Sequence, residues 1–343
     1  MNNIHTQTKL VAFGDLLLRM GTLNGFRFTQ ANELRVNVGA AEANVCVLLS
    51  QLGIKTAYVT RLPENDLAQL ALNELHKYKI DTTNCVFGGH RIGLYFIEQG
   101  NQIRQSQVIY DRDNTAFSTI GLNQINWGKA LEGATHFHWS GTSPGISYEA
   151  SLACKEAILA AHHKGLIISS DFNYRSKIWR YGKTPAEIMP PLLEYSTITV
   201  ADLDAVEIYF GIKTDKDTPD TDRFQKAYGL LKLKMPYLKT LAMSFRKSEG
   251  QSHIYSAMLM HEDNFYESKQ HQIHLVTDQI GSGDAFTAGL LYGLMNQFAA
   301  QESIEWATAC GVIKQSIPGD FSITSVDEVN HFLINGTSNR ISR

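Results

Sequence analysis

The sequence predicts an α/β fold, a largely parallel sheet covered by helices on both faces with a small second sheet beside it. Short β-branched runs alternate with helical patterns along most of the 343 residues, the signature of repeated βαβ units. Two segments break this rhythm with paired strand-like runs and no helix between them. Hydrophobic residues make up 43% of the chain, enough for a large core, and charged residues at 19% are too few for a disordered or coiled-coil chain.

Leu10–Phe13 reads as the first strand. Residues 16–36 read as a hairpin turning near Gly25. Ala41–Leu52 reads as a helix, because Val45, Leu48, Leu49 and Leu52 recur at i, i+3, i+4 and i+7 and Gly53 is a good stop. Thr56–Thr60 is the next strand. Asp66–Tyr78 is the next helix, with Leu67, Leu70, Ala71 and Leu75 on one face. Arg91–Tyr110 reads as a second hairpin, turning at Gln99–Gly100–Asn101. Strand-like runs follow at His136–Trp139, Leu166–Ser170, Thr197–Val200, Thr240–Ser244 and His253–Met260. Helical patterns lie near Glu149–His163, Asp284–Met295, Ser303–Gln315 and Val326–Ile334. Asp215–Asp222 reads as a polar surface loop. With no repeat, low-complexity tract or long linker, residues 1–343 read as one domain.

The charge balance, 31 Lys and Arg against 34 Asp and Glu, provides no basic stripe for nucleic acid. Cys46, Cys85, Cys154 and Cys310 lie far apart with no C-x-x-C pair. That argues against a zinc or redox motif and fits a reduced cytoplasmic protein. The start lacks a basic segment followed by an apolar one, so it does not read as a signal peptide. The apolar run Ala285–Met295 is too short to span a bilayer. His136 and His138 alternate on one strand face, as metal ligands would. No carboxylate or Cys completes a set, and they read as core histidines.

The most informative stretch is Asp278-Gln-Ile-Gly281-Ser282-Gly283-Asp284. A loop with two glycines opens a helix whose first turn carries an aspartate. Unpaired N–H groups and the dipole make such a helix start an anion site, and glycine lets the backbone approach a phosphate closely. An acid there would repel a phosphate that was only being bound. It makes sense as a base that takes a hydroxyl proton while the N–H groups of Gly281, Ser282 and Gly283 hold charge on a transferred phosphoryl group. A bare G-x-G-D is also a common turn with a dipole-complementing acid, so the flanking residues decide. Neither a P-loop nor a dinucleotide fingerprint is present.

This segment resembles the C-terminal signature D-x-x-G-A-G-D of the PfkB (ribokinase-like) carbohydrate kinases. Val38-Gly39-Ala40-Ala41-Glu42-Ala43-Asn44-Val45 resembles their N-terminal signature, G-G-A-x-x-N-x-A. Three further runs are similar to those of the family's 2-keto-3-deoxygluconate kinases. These are Gly93-Leu-Tyr95 with Asn101 to Tyr110-Asp-Arg112, Asp171-Phe-Asn173-Tyr-Arg175 with Trp179, and Ile317-Pro-Gly-Asp320. The resemblance spans essentially the whole chain. It implies a ribokinase-like three-layer α/β/α sandwich with a small β-sheet lid formed by about residues 16–36 and 91–112. It also implies a kinase that uses ATP with Mg²⁺, with room for a monovalent cation, and a homo-oligomer with a dimer favoured.

Carried over residue by residue, the resemblance makes Asp284 the base and the backbone of Gly281, Ser282 and Gly283 the anion site. Gly39, Ala40, Ala41, Glu42 and Ala43 would line the sugar pocket. Tyr95, Tyr110 and Arg112 would reach down from the lid, and Asp320 would take a substrate hydroxyl. Arg112 and Arg175 suit a carboxylate, because a guanidinium fork pairs with it bidentately. Asn173 and Arg175 would flank the phosphate path. Asp278 and the run Ser244-Phe-Arg246-Lys-Ser-Glu249-Gly250 would lie on the nucleotide side. Outside that context Tyr95 and Tyr110 read equally as cross-strand aromatics, and the two arginines as surface ion-pair partners.

Five positions depart from the family pattern. Ala40 replaces a glycine and adds a methyl to the pocket. Ser282 replaces alanine and keeps the N–H. Asp202 and Ala205 replace the Asn and acid of N-x-x-[DE], an element tied to metal and phosphate positioning. Asp15 stands where this subgroup has Glu. The expected function is ATP-dependent phosphorylation of a sugar acid, 2-keto-3-deoxygluconate to its 6-phosphate. The alternatives are a kinase for a neutral sugar such as fructose or ribose, which would not need both arginines, and a non-catalytic sugar- or nucleotide-binding relative, against which the intact Gly281–Asp284 segment argues.

Overall fold

The computed structural model describes residues 8–23, 25–100, 104–249 and 252–336. The main sheet has nine strands. From one edge they run Asn264–Glu267, Ser252–His261, Thr240–Glu249, Ile198–Val200, Ile167–Asp171, His136–Ser140, Lys9–Phe13 and Lys55–Val59, with His271–Ile273 also pairing Ser252–His261. The six strands from Thr240–Glu249 to Lys55–Val59 are parallel. The remainder add antiparallel at the far edge.

Side-chain alternation explains why this sheet is covered on both faces. Leu10 and Ala12 point into one core, packed under the helices Ala41–Gln51, Ser282–Met295 and Ala300–Lys314. Val11 and Phe13 point into the other core, with Phe137, Trp139 and the helix Tyr148–His163. His136 and His138 are buried in the sheet and hydrogen-bonded to Thr135 and Ser169. Desolvation lowers them to about 4 and about 3.

The second sheet has the strand order Arg35–Gly39, Leu17–Gly21, Gly93–Glu98, Gln107–Asp111. Both hairpins are present, and they join through parallel pairing of Leu17–Gly21 with Gly93–Glu98. The turn residue Asn101 lies outside the described residues. The strand Arg35–Gly39 runs straight into the helix Ala41–Gln51, so the small sheet is continuous with the first helix of the main layer.

Two expectations about the rest of the chain change. Asp220–Asp222 is not loop but the first turn of a helix, Asp220–Lys232, whose acids complement the N-terminal dipole. The strand from Thr240 continues to Glu249, because Ser252–His261 pairs with it along its whole length.

Candidate active site

A cavity of about 460 Å³ opens beyond the carboxyl ends of the parallel strands. Chain order reverses direction there, with Lys9–Phe13 lying between Lys55–Val59 and His136–Ser140. Open α/β sheets leave a crevice at such a point. Asp171 ends a strand and Asp15, Thr142, Asn173, Ala201 and Asp202 follow strand ends, and all of them line it. The small sheet contributes Leu17, Tyr95, Val108, Tyr110 and Arg112 from above. Tyr95 and Tyr110 are register partners with ring centroids 6.4 Å apart, so they form the cross-strand pair and also face the cavity.

The helix Ser282–Met295 aims its first turn at this space. Gly281 is the N-cap at φ +81°, and a Cβ there would lie 2.1 Å from the Asp320 carbonyl oxygen. No other residue fits on either count. The N–H groups of Gly281, Gly283 and Asp284 find no partner among the described residues. Ser282 differs from expectation. Its N–H donates to the Gln279 carbonyl at 3.2 Å and its hydroxyl to the Gly311 carbonyl at 2.8 Å, anchoring the helix instead of facing the cavity. The N–H groups left free to meet an anion, among the described residues, are therefore those of Gly281, Gly283 and Asp284.

Asp284 lines the cavity and accepts from Asn44 Nδ2 at 2.6 Å. Burial raises it to about 6, with the Asn44 bond and the Arg175 charge pulling the other way. Sequence reasoning left Asn44 out of the site. Its visible signal is an amide at the end of the first turn, just before the apolar run Val45–Leu49. Helical geometry also corrects the sugar-side group. Ala40, Ala41 and Asn44 share the face turned to the cavity, whereas Gly39, Glu42 and Ala43 do not line it. Gly39 lies against the Asp320 carboxylate, where a Cβ would come within 2.3 Å. Glu42 turns inward and accepts from the Ser140 and Ser143 hydroxyls at 2.8 Å each.

Asp278 is a correction as well. It is buried away from the cavity. Its Oδ2 meets Arg19 Nη2 at 2.7 Å and the Gly319 N–H at 3.1 Å, and its Oδ1 takes the Ile280 N–H at 3.1 Å. Three hydrogen bonds tie this side chain to Arg19 and the loop backbone, and it does not line the cavity. Asp320 does line the cavity, held by Arg19 Nη1 at 3.0 Å and by the Tyr95 hydroxyl.

The two arginines differ. Arg112 forms a buried pair with Asp15, Nη2 at 3.0 Å and Nε at 3.1 Å from one carboxylate oxygen. The shorter acid at position 15 thus reaches Arg112 directly. Arg175 lines the same cavity, is exposed, and pairs with no carboxylate among the described residues. Asn173 sits beside it at φ +37°, its N–H bonded to Asp171 Oδ1 at 3.0 Å in an Asx turn. Asp171, also missed from the sequence, is raised to about 8 by burial and then by the neighbouring Asp284 carboxylate. Asp202 caps the helix Leu203–Phe210 by accepting from the Ala205 N–H at 2.7 Å. Asp serves this role as well as Asn does. Ala205 is buried in the core. Ser244 and Arg246 line the outer end of the cavity. The side chain of Glu249, and Gly250 altogether, lie outside what the structure describes.

Residues 7–321 match the family described as pfkB family carbohydrate kinase. The chain is 27% identical over 330 residues to 2-dehydro-3-deoxygalactonokinase of Haloferax volcanii, covering 96% of this chain and 97% of that one. The crystal structure of 2-dehydro-3-deoxygluconokinase from Thermotoga maritima superposes with a TM-score of 0.90 at 32% identity, over 96% of this chain and 99% of that one. A putative 2-keto-3-deoxygluconate kinase from Enterococcus faecalis has a TM-score of 0.90 at 25% identity, over 98% and 99%.

Proposed function

The chain belongs to the pfkB family of carbohydrate kinases, and from that premise we propose that its acceptor is a 2-keto-3-deoxy sugar acid, phosphorylated at its terminal hydroxyl. It is an ATP-dependent carbohydrate kinase with a ribokinase-like fold. The observation that carries the substrate reading is Arg175. It is a guanidinium with no carboxylate partner among the described residues, and it lines the same cavity as Asp284 and Arg112. A neutral sugar leaves such a fork without a partner, whereas a carboxylate satisfies it bidentately. The names of the similar proteins agree with this class.

In this reading the small sheet is a lid, and the sugar acid lies beneath it against Ala40, Ala41, Tyr95 and Tyr110. Asp284 takes the hydroxyl proton as the oxygen attacks in line. The N–H groups of Gly281, Gly283 and Asp284 hold the charge on the transferred group. ATP enters past Ser244 and Arg246. No group of three or more His, Cys, Asp or Glu among the described residues is arranged to hold a metal, so Mg²⁺ would arrive on the polyphosphate, as this reluctantly dehydrated ion does elsewhere. The cavity carboxylates of Asp171 and Asp202 would meet its water shell. Asp171 is raised to about 8 first by burial and then by the Asp284 charge, with Asp202 adding to it, and a cation between these acids and the phosphates would draw it back down. Bound there, Mg²⁺ supplies charge neutralisation of the polyphosphate.

The test is a coupled assay of ATP consumption against 2-keto-3-deoxygluconate, its galactonate epimer, fructose and ribose. One of the two keto-deoxy acids should exceed both neutral sugars in kcat/KM by about 10²-fold, the scale of a charge-assisted pair. Comparable values for fructose or ribose would overturn the sugar-acid reading.

A further inference from the structure

We propose that Arg19 is a positioning residue for phosphoryl transfer. From its strand in the small sheet it clamps together the two segments that shape the anion-binding loop. The proposal rests on the kinase activity and not on which sugar is phosphorylated.

Arg19 lies in the middle of the strand Leu17–Gly21 and is 4% exposed. Its two terminal nitrogens reach separate acids, Nη2 to Asp278 at 2.7 Å and Nη1 to Asp320 at 3.0 Å. Asp278 precedes the glycine loop and fixes the N–H groups of Ile280 and Gly319, each at 3.1 Å. Asp320 presses its carbonyl oxygen on Gly281, where even a Cβ would not fit. One guanidinium therefore holds residues 278–280 against residues 319–320, and Gly281 sits between those walls. Lys314, fully buried, donates to the Ile317 carbonyl at 2.8 Å, and its charge is felt by both acids. The joint thus opposes two cations, Arg19 and Lys314, to two carboxylates, with the Tyr95 hydroxyl on Asp320.

The residue type matters here. A lysine would supply the charge, but only a planar fork spans two acids in fixed directions. Arg19 also leaves its Nε without a partner among the described residues. Burying such a group is costly, and an ion pair in the interior gains little net stability. The arrangement is better understood as fixing geometry at the backbone N–H groups that hold charge on the transferred phosphoryl group.

The test uses Arg19→Lys, Arg19→Met, Asp278→Asn and the double variant Arg19→Met/Asp278→Asn of the full chain. Hydrogen exchange of the free protein comes first. Peptides spanning 278–283 and 317–321 should exchange faster in every variant, while Ile167–Asp171 stays as in the parent. In steady-state assays kcat should fall by about 10–100-fold, the scale of an ångström-sized misplacement, with the KM for ATP moving less than about threefold. Lysine should not rescue, and the double variant should be no worse than the worse single one. If Arg19→Met does not fold, Arg19→Lys and Asp278→Asn decide the question. Unchanged loop exchange, or a folded Arg19→Lys enzyme with kcat within about threefold of the parent, overturns the proposal, and so does a lowered melting temperature with kcat intact. The exchange measurement needs no substrate, so it stands even if no sugar acid is turned over.

Discussion

Asn44 Nδ2 and Asp284 Oδ2 lie 2.6 Å apart, although 240 residues separate them along the chain. The contact joins the helix that follows the strand Arg35–Gly39 to the helix that carries Asp284, the proposed base. It also tunes that base. Desolvation drives the Asp284 carboxyl upward, the amide hydrogen bond draws it down, and the balance falls at about 6. A base of that strength is mostly ionised at neutral pH yet retains proton affinity, the compromise that general-base catalysis favours.

Replacing Asp284 by Asn removes the proton acceptor and keeps the shape. Steady-state assays should show kcat lower by roughly 10²–10⁴ with KM for the sugar little changed. Turnover within a few-fold of the parent enzyme would place the base elsewhere.

Asn44→Ala should act through the same carboxyl. Without the amide donor, the Asp284 pKa rises above about 6. The active form is the ionised one, so the acid limb of the kcat profile should move to higher pH. The loss at pH 6 should exceed the loss at pH 8. Profiles that fall in parallel would mean that Asn44 only supports the fold, through its Oδ1 bond to the Ala40 N–H.

The alternation of strands and helices was legible because most strands of the parallel sheet are runs of five residues or fewer with helical stretches between them. The hairpins of the small sheet were legible for the opposite reason, since neither contains a helix. The helix Asp220–Lys232 was hidden because its first turn is made of acids that also suit a loop. In the site, local motifs revealed Gly281 and Asp284, whose roles depend on neighbours in sequence. Ser282, Asp278 and Glu42 were misplaced because the direction of a side chain on a turn or helix start is settled by tertiary partners. Gly311, Arg19 and Ser140 are those partners, and they lie far off in the chain. Arg19 carried no local sign at all, being a single cation in a strand.

Glu42 should make stability depend on pH. Its carboxyl is buried, and desolvation raises it from 4.5 to about 7 against the serine hydrogen bonds. Between those values the native state binds the proton more tightly than the unfolded chain does. The stability from this group is therefore complete below about 4.5, falls as pH rises through the window, and is lost above about 7. Glu42→Gln keeps an acceptor for Ser140 and Ser143 and cannot titrate. Urea unfolding at pH 5 and pH 8 should show the parent losing roughly 1–3 kcal/mol more than the variant across that interval. Equal losses would mean that Glu42 is ionised in the native state at pH 5.

Arg112 has two partners to answer to, and they can be separated. Asp15, 2% exposed, loses its salt-bridge partner in Arg112→Leu. Breaking a buried pair from one side costs about 3–5 kcal/mol of stability. If Arg112 also meets the substrate carboxylate, kcat/KM for the sugar acid should fall by one to two decades, the worth of a charge-assisted bond of about 1.5–3 kcal/mol. The double variant Asp15→Asn/Arg112→Leu removes both charges. It should regain most of the stability in urea unfolding and none of the kcat/KM for the acid, while a neutral sugar is affected far less by either variant. Arg175→Leu supplies the comparison, since Arg175 is exposed and forms no ion pair among the described residues. It should lower kcat/KM for the acid with stability within about 0.5 kcal/mol of the parent. Recovery of acid turnover in the double variant would show that Arg112 serves only to neutralise Asp15, and carboxylate recognition would then fall to Arg175 alone.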